Sequence, residues 1–351
     1  MIEINTNKPV MLTGATGYLA GQLAKKLLEA GLTIHATVRD PNNTEKLKYL
    51  NQLNQELPGN IKFFSADLLK ENSFDQAIKG CQIVFHTASP FIVDVKSPLK
   101  DLVEPAELGT KNVLNSVNKE SSVLKVILTS SVVAIYGDNI ESKNTKTGMF
   151  TEKDWNNTST LKHKPYSFSK TQAEKLAWKV AKEQNRWSLI TINPSLIMGP
   201  GIGPAKNSES FRLLQQIGDG TFKAGIPDWG MGIVDVRDVA TAHFNAAFTP
   251  SAEGRYIICA HNTSFPKMAN LLVDKYGKSY PIPTRTLPKW LVWLVGPLAN
   301  KSLTRKSIKL NVGYPWQADN SKGKNDLDLN YRPLQETMEE HFQQLIDVKM
   351  V

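Results

Sequence analysis

The chain has 351 residues, 41% hydrophobic and 21% charged, a balance that gives a folded enzyme-sized protein ample material for a buried core. Its formal net charge of +9 comes without a basic arm or an arginine-rich run, so nucleic acid is not an expected partner. Two distant cysteines, Cys81 and Cys259, and six histidines without ligand spacing point away from a disulfide framework and from a metal site.

In chain order, the first half alternates short apolar runs with helical patterns. Strands are expected at 9–13, 32–38, 61–65, 83–87, 125–129 and 188–192, and a helix at 21–30 stopped by Gly31. Continuous apolar strands between helices imply a parallel sheet covered on both faces, and right-handed crossovers make it a doubly wound α/β (Rossmann) fold. Residues 199–232, rich in Gly and Pro, read as loops over a pocket. A helix at 234–248 with Asp238 near its start and a strand at 255–260 return to the sheet, and an amphipathic helix closes the chain at 334–345. The expected division is a dinucleotide-binding domain of 1–198 plus the returning segment 234–262. A smaller substrate-binding subdomain then comprises 199–233 and 263–351. The stretch LPKWLVWLVGPLA at 287–299 is too short to span a bilayer and reads as a buried or pocket-lining helix, with a membrane-surface helix as the alternative. The opening MIEINTNKPV lacks a signal peptide's basic and apolar runs, so a cytoplasmic protein without a membrane partner is expected.

TGATGYLAG at 13–21 follows the first strand and opens the first helix. Gly14 permits a tight turn, Gly17 lets backbone amides approach a pyrophosphate, and Ala20 allows close helix–strand packing. Thr13, Thr16, Tyr18 and Leu19 complete the loop's expected contacts. At the tip of the second strand a carboxylate would bond the adenosine ribose and repel a 2′-phosphate, whereas the sequence offers Arg39 before Asp40. A guanidinium there pairs a phosphate bidentately, with Lys46 as a second cation, so NADP(H) is expected; the alternative is NAD held by Asp40. Asp67 stands where a carboxylate accepts from the adenine amino group, or caps a helix. Thr87, Ala88 and Ser89 close another strand where small residues let the cofactor lie against backbone, and His86 before them reads as a packed strand residue.

PYSFSK at 165–170 sets Tyr166 and Lys170 one helical turn apart on the same face. The lysine's charge is expected to lower the phenol's pKa from about 10 toward the working range and to hold the nicotinamide ribose. VILTSS at 126–131 ends a neighbouring strand in Thr129, Ser130 and Ser131. Ser131 is best placed to hold a substrate oxygen near the phenol, and Thr129 is counted with the cofactor contacts.

TGATGYLA, VRDP, VFHTASP, GTKNVL, LTSS, YSFSK, INPSLIMGPG, VDVRDVATAH, GRYIICA, ADNSK and YRPLQET together resemble the extended short-chain dehydrogenases/reductases. Within them the chain is similar to the dihydroflavonol 4-reductase and cinnamoyl-CoA reductase group over nearly its whole length. The resemblance implies Ser131, Tyr166 and Lys170 as a catalytic triad, with Asn112 behind the lysine as a proton relay or a helix-packing residue. It implies Arg39 and Lys46 on the 2′-phosphate, Asp67 and Leu68 on adenine, Thr87 to Ser89 on ribose, Pro194 to Ile197 against the nicotinamide, and Ser210 on the phosphates. Two departures matter: HKPYSF lacks the asparagine-led sequence before the tyrosine of cinnamoyl-CoA reductases, and VVAIYG lacks the flavonoid-binding pattern.

The expected protein is therefore an NADPH-dependent reductase of a small-molecule carbonyl, an aldehyde or ketone, acting as a monomer or homodimer. Phe91, Val133, Met198, Phe211 and Phe222 are the candidate pocket walls. The alternatives are a nucleotide-sugar epimerase or dehydratase or a hydroxysteroid dehydrogenase of the same superfamily, and, in a different class, a non-catalytic NADPH sensor.

Overall fold

The structure, a computed structural model, describes residues 4–89, 95–205, 208–299 and 303–351, so Phe91 lies outside the described residues. Six strands follow the first half of the chain: β1 (Val10–Leu12), β2 (Thr33–Val38), β3 (Asn60–Ser65), β4 (Ile83–His86), β5 (Lys125–Thr129) and β6 (Ser188–Pro194). Helices α1 (Tyr18–Glu29), α2 (Thr44–Glu56), α3 (Glu104–Lys119) and α4 (Pro165–Lys182) connect or follow them. After β7 (Leu196–Met198) come α5 (Glu209–Gly218), β8 (Ile226–Pro227), β9 (Gly230–Asp235), α6 (Val236–Phe248), β10 (Gly254–Ile258) and β11 (His261–Ser264). The tail holds α7 (Phe265–Asn270), α8 (Val273–Tyr276), β12 (Thr286–Leu287), α9 (Lys289–Ala299), α10 (Arg305–Asn311), α11 (Ser321–Leu327) and α12 (Leu334–Asp347).

The main sheet is parallel and seven-stranded, in the order β10-β6-β5-β4-β1-β2-β3. Strand order reverses between β1 and β4, and at that switch point a crevice opens beyond the strands' carboxyl ends. Its inner strands are buried along nearly their whole length, as a sheet with helices on both faces requires. One core fills the α1–α6 side, through Leu23, Leu27, Ile34, Val239 and Ala246. The opposite side packs Val84, Val113, Val117 and Trp187. A further core gathers Phe211, Leu214, Met268, Met338 and Phe342 beside the three-stranded sheet β11-β9-β7. Leu327 and Leu329, far along the tail, come back to the first core.

Four expectations are corrected. The helix expected from 234 begins at Val236, because Val234 and Asp235 finish β9 and the Asp235 carboxylate then caps α6 by accepting from the Arg237 amide at 2.8 Å. The segment 199–232 is not all loop: its Gly and Pro residues bracket α5, whose Phe211, Leu214 and Ile217 are fully buried. Helix α1 starts at Tyr18, earlier than expected, since Gly17 is its N-cap. Lastly, α9 forms as expected but is not buried: only Val292 and Gly296 are fully covered, and Trp290, Trp293, Leu294, Val295 and Leu298 are exposed.

Candidate active site at the carboxyl edge of the sheet

The glycine loop is held from three sides. Gly14 has φ +65°, and a Cβ built there would lie 2.9 Å from the Ala88 Cβ, so the turn and the approach of β4's end both require glycine. The Gly14 and Ala15 amides donate to the Thr37 side chain and carbonyl at 3.3 and 3.1 Å. Thr13 joins this loop to the next: its amide donates to the Phe85 carbonyl, its hydroxyl oxygen accepts from the Ala88 amide at 3.0 Å, and its carbonyl accepts from the Thr87 hydroxyl at 2.6 Å. Thr16 and Gly17 are exposed, and the first amides of α1 have no side-chain cap. An anion at that end would satisfy them and meet the positive end of the helix dipole.

Two of the loop residues face elsewhere. The Tyr18 hydroxyl donates to the Gly199 carbonyl and its ring stacks on His341, so burial raises its pKa well above the ordinary value. Leu19 is buried in the first core. Both lie at the helix start and offer a ligand their backbone, not their side chains.

Arg39 stands exposed at the tip of β2, with no ion-pair partner among the described residues, and Lys46 is exposed in the first turn of α2. The neighbouring Asp40 carboxylate accepts from the Asn42 amide at 2.9 Å, a turn-forming bond. Asp67 does likewise, accepting from the Leu69 amide at 2.8 Å, while the Leu68 carbonyl accepts from the Asn112 side chain at 2.8 Å. Asn112 thus ties α3 to the loop after β3. His86 is a packed strand residue: it shares a 3.0 Å hydrogen bond with the Thr13 hydroxyl, and burial pushes its pKa down to about 3, helped by the Lys170 charge.

A narrow crevice at the ends of β4 and β5 is lined by Leu68, Ala88, Ser89, Thr129, Ser130 and Lys170. Lys170 is buried enough for desolvation to bring its pKa to about 8, against the opposing pull of Glu174. Ser131 and Tyr166 border the region but do not line this crevice. The Ser131 hydroxyl oxygen accepts from the Val133 amide at 3.3 Å, which leaves its proton free to be donated. Tyr166, in the first turn of α4, is 55% exposed, yet its surroundings desolvate the phenol and, with Glu209, raise its pKa above the ordinary value. That is opposite to the lowering expected from a lysine one turn away: the Lys170 charge acts on His86 instead. No hydrogen bond links Ser131, Tyr166 and Lys170 to one another among the described residues.

Of the remaining expected residues, Pro194 ends β6 and Ile197 is half-buried on β7. Ser210 is turned inward, its hydroxyl donating to the Ile197 carbonyl at 2.5 Å, so it presents no hydroxyl to a phosphate. Met198 and Phe211 are fully buried core residues and Phe222 packs edge-to-face on Phe265, whereas Val133 adjoins Ser131 through its amide.

Two groups escaped the sequence reading. Glu174, buried four residues beyond Lys170, accepts from Ser130, from Asn193 at 2.8 Å and from Arg255 at 2.7 Å. It so binds α4 to the ends of β5 and β6 and to β10. In sequence it shows only as the Tyr-x-x-x-Lys spacing continued by one more turn, which does not by itself set it apart from a solvent-facing glutamate. Lys164 precedes α4 in a left-handed conformation, φ +52°, and donates to the Gly137 and Asn311 oxygens at 2.5 and 2.9 Å. It also pairs with Asp138 at 2.9 Å. Burial alone would raise the Asp138 carboxyl, but Lys164, His163 and Asn311 hold it below the usual range. This buried cluster fixes the turn that carries Tyr166. No cluster of three metal-ligating side chains occurs among the described residues.

The family profile described as NAD dependent epimerase/dehydratase matches residues 10–259. A cinnamoyl-CoA reductase of Medicago truncatula is 39% identical over 280 residues, covering 79% of this chain and 83% of that protein. An anthocyanidin reductase of Arabidopsis thaliana is 38% identical over 284 residues, with 78% and 82% covered. Among solved structures, Gre2 from Candida albicans in complex with NADPH superposes with a TM-score of 0.77 at 26% identity, covering 97% of this chain and 98% of that one. With a glycine loop at the switch point and this crevice beside α4, the chain belongs to the NAD dependent epimerase/dehydratase family, in its group of dihydroflavonol reductase- and cinnamoyl-CoA reductase-like proteins.

Proposed function

We propose that the protein is an NADPH-dependent reductase of aldehyde or ketone carbonyls. The observation that carries this reading is the placement of the charges at the β2 tip. Arg39 projects there without an ion-pair partner among the described residues, Lys46 is close in sequence, and the adjoining carboxylate, Asp40, is engaged in its own turn. A 2′-phosphate is recognised by such a pair of cations and would be repelled by a free carboxylate. The uncapped amides of α1 and the Gly14 cradle fit the pyrophosphate. The NADPH-bound likeness of Gre2 supports the same cofactor.

When bound, the nicotinamide supplies hydride to the carbonyl carbon. Tyr166 donates the proton to the carbonyl oxygen, and its raised pKa keeps it in the protonated form that donation needs. Ser131 donates a hydrogen bond to that same oxygen and so holds it within reach of the phenol. Lys170 holds the ribose and returns positive charge to the site as negative charge develops on oxygen. Val133 and the residues around Ile197 shape the carbonyl's surroundings.

The test is cofactor oxidation with a panel of aldehydes and ketones, NADPH and NADH in parallel. Tyr166→Phe should lose on the order of a hundredfold to ten-thousandfold in kcat, the range of general acid catalysis, and still bind NADPH. Arg39→Ala should raise the NADPH KM by about tenfold to a hundredfold, the worth of a charged hydrogen bond, with little change for NADH. Equal use of the two cofactors by the unaltered protein would overturn the NADPH reading, and undiminished turnover by Tyr166→Phe would overturn the proton donor.

A further inference from the structure

Helix α9, KWLVWLVGPLA, is apolar almost throughout, a composition that belongs in a core. Instead it lies on the surface. Val292 and Gly296 face inward against Ile308 of α10, and a Cβ at Gly296 would stand 3.0 Å from the Ile308 side chain. The other side presents Trp290 (67% exposed), Trp293, Leu294, Val295 and Leu298 (87% exposed). Residues 290, 294 and 298 recur at one helical turn, so these side chains make a single stripe and not scattered singletons. Contiguous exposed apolar area of this kind marks an interaction surface.

Within the sequence segment that carries the stripe the charges have one sign, although the exposed Asp228 meets the end of α10 through its carbonyl, which accepts from the Gly313 amide at 2.7 Å. From Lys275 to Ala318 the sequence contains eight Lys and Arg and no Asp or Glu, nearly the whole of the formal +9. Arg305 sits 4.6 Å from the Trp293 ring, Lys289 donates to the Lys309 carbonyl at 2.9 Å, and Lys306 and Lys309 are exposed beside them on α10.

We infer that α9 and α10 dock the protein on the surface of an anionic lipid bilayer. Tryptophans take the headgroup level, the leucines and valine enter the acyl boundary, and the basic residues meet lipid phosphates. The 11 residues of α9 are too few to cross, and no helix of the described residues is long and apolar enough to do so. This departs from the expectation that the protein has no membrane partner. A second copy of the chain fits the surface poorly: a two-fold contact would set the same acid-free segment against itself, like charge on like charge.

The experiment is flotation of the purified full chain with extruded vesicles of phosphatidylcholine, with and without phosphatidylglycerol, at low and high salt. The chain should float with the phosphatidylglycerol vesicles and be released by salt. Trp290→Ser/Leu294→Ser/Leu298→Ser, all at exposed positions, should bind at least about tenfold more weakly, by the apolar area lost. Arg305→Gln/Lys306→Gln/Lys309→Gln should lose on the order of a hundredfold, since each basic residue near an anionic surface contributes about fivefold. Circular dichroism checks that both variants fold as the parent does. Failure of the parent to float, equal binding to neutral vesicles, or undiminished binding by the apolar variant overturns the inference. So does a dimer in sedimentation velocity that the apolar variant abolishes, which would assign the stripe to a second copy.

Discussion

Lys170 and Glu174 lie one turn apart on the same face of α4, and their coupling makes a pH-dependent prediction. Burial lowers the Lys170 pKa to about 8, and the Glu174 carboxylate opposes that fall. The proposed reduction needs the ammonium, which is present below this pKa and lost above it. Since kcat/KM reports groups of the free enzyme, it should hold level below the Lys170 pKa and drop as pH rises through about 8. Glu174→Gln removes the charge that favours ammonium, so the alkaline limb should move to lower pH, by on the order of one unit. The variant also strands the buried Arg255 guanidinium, at a cost of about 3 kcal/mol, and its thermal unfolding is measured first. An alkaline limb that stays in place in a folded variant would reject the coupling. The placement of Tyr166 and Lys170 on one helix and of Ser131 just past a strand end was legible because spacing and strand ends are local properties. Glu174 was not, because a helical glutamate ordinarily faces water and its partners Asn193 and Arg255 arrive from distant strands.

The joint of β1, the glycine loop and α1 concentrates its constraint at Gly14. An alanine there would hold a left-handed conformation, worth about 1–2 kcal/mol, and would also press on Ala88 at 2.9 Å. Because β4's end cannot retreat without breaking its bond to Thr13, Gly14→Ala should displace the amides that face the pyrophosphate. The expected outcome is a melting point lower by several degrees and an NADPH Kd raised at least about tenfold, read by nucleotide fluorescence titration. A Kd equal to the parent's would show that the loop tolerates the methyl and that the cradle is not what binds. At this scale the sheet was legible almost strand for strand, since buried β-branched runs such as TIHATV and KVILT carry their own signal. Helix α5 was hidden by the Gly and Pro residues that bracket it. Composition alone misplaced α9: apolar residues record what a helix prefers to touch, and nothing in a single sequence says whether this chain supplies the contact.

Across the whole molecule, three histidines are buried in neutral form: His86 in β4, His243 in α6 and His341 in α12. Desolvation lowers their pKa values to about 3, about 4 and about 3 respectively. Their bonds agree with neutrality. His243 donates to the Val239 carbonyl at 2.8 Å and accepts from Thr129 at 2.7 Å, while His341 accepts from the Gly199 amide at 3.0 Å. In the unfolded chain each takes up a proton near pH 6.5, so as pH falls below that value the unfolded state binds protons the folded state refuses. Stability should therefore rise with pH through this window and fall on acidification, by up to about 1.4 kcal/mol per pH unit for each histidine and about 4 for the three. They act in the window from about pH 6.5 to 5, joined by the half-buried His35, whose pKa burial also lowers, while ordinary carboxylates titrate below it. Urea unfolding followed across that window should show the midpoint dropping steadily on acidification and levelling off toward pH 7, where the histidines are neutral in both states. His341 lies in the core beside α12 and His86 and His243 bracket the main sheet, so the loss should be shared by both regions and unfolding should stay a single transition. A midpoint that stays flat from pH 6.5 to 5 would mean that water or relaxation reaches these rings, and that the sealed interior around β4, β5 and α12 opens without global unfolding.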